Sequence, residues 1–194
     1  MLTSINTLKV RLGIEIFETS DDPFLLMLLK HVSARFAAEC NRTFDHAADV
    51  TFEFRANETM VTPDRPPIES VSAFHLKTNE TEGWVPQPDV EYLLAPQRCV
   101  IELAEPLGLY CELGRVTYSG GYVLPGVTAA DGQTALPDDL EQACVEQAAY
   151  WYQRRTQLGL VSIASEGSIV QQFQTSDLLP QVRAVLKHYE RWVN

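Results

Sequence analysis

The spacing of apolar residues switches twice along this chain, and that switch limits the fold more than any other feature. From Phe24 to Cys40 the apolar positions are Phe24, Leu25, Leu28, Leu29, Val32, Phe36 and Cys40, with Lys30, Arg35 and Glu39 left for solvent. This is one wide helical face, which needs other elements across from it. After Asp45 the period becomes two. Val50, Phe52 and Phe54 alternate with Thr51, Glu53 and Arg55, and residues 68–76 alternate in the same way. That is the pattern of half-buried strands. Helical spacing returns with Leu140, Ala143, Cys144, Gln147, Ala148 and Trp151, which reads as a core stripe packing on the first long helix.

Local signals set the boundaries. Ser4 as a cap and Gly13 as a stop predict a short helix over 5–12. Ser20-Asp21-Asp22-Pro23 opens a second helix that reaches Cys40, because acids favour the positive dipole end and Pro fits the first turn. Pro137-Asp138-Asp139 repeats that signal for a helix to Gln157, with Gly159 as its stop. A last helix is expected over 179–192, behind Ser176 or Asp177. Shorter strands are expected at 90–94, 99–103 and 109–118, with a linker from Gly120 to Ala135 and a loop holding one hairpin at 161–176. The expected fold is α+β: a helical bundle formed by the N- and C-terminal helices, with a β-rich central insertion. The segments are 1–44, 45–135 and 136–194.

Composition excludes several function classes. Lys and Arg number 15 against 26 Asp and Glu, a net charge of −11, and residues 45–146 hold 18 acids and 5 bases. Gripping nucleic acid by counterion release needs the opposite balance. The longest apolar run, Phe24 to Leu29, is far below the ~20 residues of a membrane span. No basic and apolar leader follows Met1, so the expectation is a chain made in the cytoplasm with no membrane partner. Cys40, Cys99, Cys111 and Cys144, like His31, His46, His75 and His188, lie too far apart for metal-site spacing, and no cofactor is expected.

Catalytic patterns are equally thin. Asp21/Asp22 and Asp138/Asp139 sit beside prolines and read as helix-start acids. His75 alternates with apolar neighbours and reads as a structural strand residue. Ser119-Gly120-Gly121 lacks the Lys-Ser/Thr of a phosphate loop, and no serine lies in a Gly-x-Ser-x-Gly elbow. No enzyme site emerges.

One resemblance does. The strand end Val116-Thr117-Tyr118-Ser119-Gly120-Gly121-Tyr122 is followed by Leu136-Pro137-Asp138-Asp139-Leu140-Glu141-Gln142-Ala143 and then Ala149-Tyr150-Trp151-Tyr152-Gln153-Arg154-Arg155. Before them come Leu8-Lys9-x-x-Leu12, Asp21-Asp22-x-x-Leu25-Leu26 and Pro67-Ile68-x-Ser70-Val71. After them come Leu178-Leu179-Pro180-x-Val182 and Leu186-Lys187-x-Tyr189-x-Arg191. In this order they resemble the tailed-phage head–tail connector (adaptor) family, over about two thirds of the chain. Residues 45–135 depart most from the family pattern.

The resemblance implies a structural virion protein without catalysis. It would form a homo-oligomeric ring, commonly dodecameric in the family, in the neck at the head–tail interface. The ring docks under the portal protein, extends the DNA channel, and offers a platform to the next connector or tail protein. It also implies portal contact by the C-terminal helix, where Leu179, Val182, Leu186, Tyr189 and Trp192 are the candidates. Glu80, Glu82, Asp89 and Glu91, four acids within twelve residues without a base, are candidates to line the channel, where carboxylates repel phosphates and DNA passes without specific binding. The alternatives are another neck or tail-completion (stopper-like) protein, a small hydrolytic enzyme using His75 or an acid pair, and a sugar-binding β module.

Overall fold

The computed structural model describes residues 1–155, 162–164, 170–172 and 177–191. In chain order the elements are α1 (Ile5–Leu12), α2 (Asp22–Glu39), β1 (Ala47–Arg55), β2 (Met60–Val61), β3 (Ile68–Lys77), β4 (Val85–Gln87), β5 (Tyr92–Leu94) and β6 (Ile101–Leu103). They continue with β7 (Leu113–Gly120), β8 (Tyr122–Val123), β9 (Thr134–Ala135), α3 (Asp138–Gln153), β10 (Ser162–Ala164), β11 (Val170–Gln172) and α4 (Pro180–Leu186). The chain divides into two compact units. The first joins Met1–Glu39 to Pro137–Tyr189, and the second joins Cys40–Leu136 to Glu190–Asn194.

In the first unit, α2 and α3 pack together, and α1 and α4 each pack on α3. Leu25, Leu29, Val32 and Phe36 of α2 and Leu140, Cys144 and Ala148 of α3 are fully buried. The local signals of α1 act as expected: Ser4 Oγ accepts from Thr7 N–H at 3.1 Å, and Gly13 takes the left-handed conformation at φ 70°. Lys9 is the exception to ordinary burial. It is 1% exposed, and its ammonium donates to the carbonyls of Ile16 (3.1 Å) and Glu18 (2.6 Å) and pairs with Asp22 at 2.5 Å. A buried ammonium is tolerated only when its donors are used in this way. Gln147, also buried, donates to Asp177 O (3.1 Å) and accepts from Leu179 N–H (2.9 Å), which fixes the approach to α4. Trp151, expected in the core, is only half-buried: its indole donates to Asp177 O and its ring meets the edge of His31.

The second unit is built from two antiparallel sheets, ordered β1-β7-β3-β4 and β2-β6-β5. Both contribute to one core of Phe54, Val61, Ile68, Phe74, Ile101, Leu103, Val116 and Tyr118. Along β7 the residues alternate strictly between half-buried and buried, as period-two sequence requires of a strand with one face on a core. Tyr118 is buried to its ring, and its hydroxyl donates to Asp64 (2.8 Å) and accepts from Arg65 N–H (3.1 Å). Burial and the Asp64 bond both push this phenol well above its ordinary range.

Several expectations are corrected. The helical bundle formed by the N- and C-terminal helices does not appear. Only α2 and α3 are long, α1 and α4 have eight and seven residues, and their unit also carries the β10–β11 sheet. The chain is mixed α/β, with four helices and mainly antiparallel sheets. The reason lies in α4: Pro180 starts it, but helical hydrogen bonding ends near Lys187, and apolar spacing over so few residues does not fix a helix length. The expected linker from Gly120 to Ala135 contains the parallel pair β8 and β9, with Tyr122 opposite Thr134 and Val123 opposite Ala135. Two residues per strand are too few to show a period. Strand β4, absent from the sequence reading, is found by pairing with β3 opposite Phe74 to Leu76. The helix-start acids do lie at helix starts, but Pro137 caps α3 without a side-chain bond. Asp21 instead accepts from the Tyr152 hydroxyl, and Asp22 holds Lys9.

Two stability outcomes follow from this packing. Lys9→Met leaves two carbonyls and Asp22 without the ammonium, so urea melts are expected to show a loss of about 3 kcal/mol; a loss below about 1 kcal/mol would place that ammonium in water. Gly121 sits at φ +100°, with a position for Cβ only 2.5 Å from Asp45 O. Gly121→Ala is therefore expected to cost about 2 kcal/mol or more from backbone strain and the clash, and an unchanged melting midpoint would disprove the closeness of that turn.

Candidate functional site

The surface, not a cleft with reactive groups, carries the informative chemistry. Among the described residues no group of three His, Cys, Asp or Glu could hold a metal ion, and no helix is long and apolar enough to cross a membrane. His75 lies half-buried on β3 opposite Arg115 of β7, and its Nδ1 has no hydrogen-bond partner among the described residues. Asp139 accepts from Leu140 N–H (2.8 Å) and from the Tyr189 hydroxyl (2.6 Å). The thiols divide by burial: Cys111 is exposed, whereas burial pushes the Cys144 thiol up to about 12, leaving it protonated and inert.

The C-terminal candidates are mostly occupied within their own unit. Val182 and Leu186 are each 1% exposed, and Leu179 is the half-buried cap of α4 held by Gln147. Tyr189 is half-buried against Asp139, and Trp192 lies outside the described residues. The acidic candidates are all exposed on the second unit. Glu80 pairs with Lys77 at 2.6 Å, Glu82 accepts from the Thr78 hydroxyl at 3.3 Å, and both sit on a turn closed by Asn79 Oδ1. Asp89 and Glu91 follow on the connection from β4 to β5. The second unit holds 15 acids and 7 bases, a net charge of −8.

Two features escaped the sequence reading. The first is the loop from Gly13 to Asp21. Its backbone is tied to the Lys9 ammonium, and Phe17 projects from it at 93% exposure. The signal was present as Ile14, Ile16 and Phe17 in a segment with no element to bury them. The second is a groove of about 750 Å³ on the second unit, lined by Phe52, Phe54, Met60, Thr62 and Leu113 with Arg55 beside them. Met60 is 55% exposed, and the guanidinium of Arg191 lies 5.5 Å from the Phe52 ring centre while donating to Thr62 O at 2.9 Å. Groove formation depends on residues from β1, β2 and β7 meeting, which no local pattern reveals.

Residues 1–192 match the head completion protein (HCP) family. In fold the chain is similar to a chain of the neck of an empty GTA particle computed with C6 symmetry, with a TM-score of 0.59 and 16% identity over 100% of this chain and 91% of that one. It is similar to a chain of the virion of a native gene transfer agent (GTA) particle, with a TM-score of 0.59 and 17% identity over 100% and 91%. A chain of the neck of a native GTA particle computed with C12 symmetry gives 0.51 and 18% over 88% and 83%. At these identities the likeness is one of fold. No curated protein matches the sequence. A match that runs from the first residue almost to the last places the whole sequence in one family: the chain belongs to the head completion proteins.

Proposed function

We propose that this chain forms a ring in the virion neck, docked under the portal, where it extends the DNA channel and presents a platform to the next connector or tail protein. The family match over residues 1–192 carries the reading, since head completion proteins are structural parts of the head–tail connection. The fold shared with neck chains solved under sixfold and twelvefold symmetry supports a ring. Surface chemistry supports it too. Phe17, Leu93, Leu109 and Tyr110 are large apolar side chains left exposed by the chain alone, as expected of surfaces that are covered on assembly.

The portal contact is assigned to the C-terminal end with Leu179, Val182, Leu186, Tyr189 and Trp192. Because Val182 and Leu186 are buried, their part is to hold α4 in place, and removing residues 178–194 would disturb the fold as well as the contact. Trp192→Ala is the cleaner test. Capture of the chain by its portal is expected to fall more than about tenfold, with an unchanged melting temperature; undiminished capture would end the C-terminal assignment. Negative-stain images of chain and portal together are expected to show an added ring, and a monomer that never adds to the portal would defeat the ring reading.

The acidic unit is assigned to the channel side. A carboxylate wall repels DNA phosphates, so the duplex passes without sticking. Replacing Glu80, Glu82, Asp89 and Glu91 by Lys is expected to make assembled rings retain DNA at low salt and release it as salt rises. Equal DNA retention by intact variant and parent rings would put these acids outside the channel.

A further inference from the structure

Phe17 is the most exposed large apolar side chain among the described residues, yet the loop that bears it is firmly built. The Lys9 ammonium binds the carbonyls on either side of Phe17, those of Ile16 and Glu18, and Asp22 anchors the ammonium. Glu18 N–H also donates to Glu15 O at 3.0 Å, and the Glu18 carboxylate accepts from Ser20 N–H at 3.0 Å. An aromatic side chain held out by a preformed loop loses little further entropy when it is buried by a partner, and aromatic anchors of this kind dominate interface energies.

The same chain carries a receptor of matching chemistry. The groove beside β1 has a wall of Phe52, Phe54 and Leu113 and a rim residue, Met60, whose flexible thioether adapts to inserted rings. Charge favours the pairing as well. Phe17 lies between Glu15 and Glu18, while the groove has Arg55 and the neighbouring Arg191. Of the two acids there, Glu53 is engaged by Arg115 at 2.6 Å, leaving Glu58. A ring closes only through contacts between two unlike surfaces of the same chain. Knob and groove are unlike, and Phe17 stands out from its own loop at 93% exposure.

We propose that Phe17 of one copy seats in the Phe52–Met60–Leu113 groove of the next copy and so joins neighbours in the ring. This rests on the ring reading above and names its contact.

The test compares assembly of the full chain, by mass photometry alone and with portal, for the parent, Phe17→Asp, Met60→Asp and the control Val127→Asp. Val127 is 69% exposed and is not part of the groove. The assembled fraction is expected to fall more than about tenfold for the first two variants and to persist in the control, with circular dichroism and melting unchanged in all. In a Cys111→Ser background, separately prepared Phe17→Cys and Met60→Cys chains, once mixed, assembled and treated with a mild thiol oxidant such as copper–phenanthroline under air, which takes up the two electrons and two protons, are expected to form disulfide-linked dimers, whereas Phe17→Cys with Val127→Cys is not. Rings that persist in Phe17→Asp, or cross-linking that favours position 127, would overturn the contact while leaving the ring intact. A parent that forms no ring under either condition would defeat the ring reading, and this contact with it.

Discussion

Strand β7 hydrogen-bonds on both sides, to β1 and to β3, and the larger unit is organised around it. Its buried face reads Gly114, Val116, Tyr118, Gly120. The two glycines are close-approach positions: a Cβ at Gly114 would meet the Phe54 ring at 2.6 Å, and one at Gly120 would meet Pro67 O at 2.7 Å. Between them Tyr118 fills the core and ties its hydroxyl to Asp64 and Arg65, so a loop that belongs to neither sheet is fixed by a strand residue. A central strand of this kind sets the register of both neighbours, because a shift by one residue would turn Val116 and Tyr118 to solvent.

The helical unit solves a different problem. Its buried cation, Lys9, lies under the loop that exposes Phe17. Ordinary burial would place the aromatic inside and the ammonium in water. The inversion is tolerated because the ammonium donates to the carbonyls of Ile16 and Glu18 and Asp22 balances its charge, and it leaves the loop with a defined shape. A protein whose work is assembly gains from that arrangement. Apolar area held outside contributes to binding a neighbour, where burial is worth about 25 cal/mol per Å² before the costs of association.

Charge is divided between the parts of the chain as well. The second unit carries −8 of the total −11, and its acids are mainly exposed on turns and connections. Exposed carboxylates add little to stability when paired, as with Glu80 and Lys77. Their collective field is the stronger effect, since it acts on any polyanion near the surface and discourages adhesion.

Much of this was legible along the sequence. The ends of α1 were set by Ser4 and Gly13, and β3 by the alternation beginning at Ile68, because capping and period-two burial are local properties carried by adjacent residues. The family was legible for the same reason, in short motifs kept in order. The length of α4, the pairing of β8 with β9, the strand β4 and the absence of a terminal helical bundle were not, because each depends on what a segment meets far along the chain. The acid pairs show the limit well: their position at helix starts could be read, but not that Asp22 would hold a buried Lys9 and Asp21 would accept from Tyr152. Sequence alone determined the elements with local signals, such as α1, α2, β1, β3 and α3, together with the charge and the family. Tertiary structure alone decided that Val182 and Leu186 turn inward, that Phe17 stays outside, and that β1, β2 and β7 leave a groove, since burial is a property of the whole packed chain and not of any residue's neighbours in sequence.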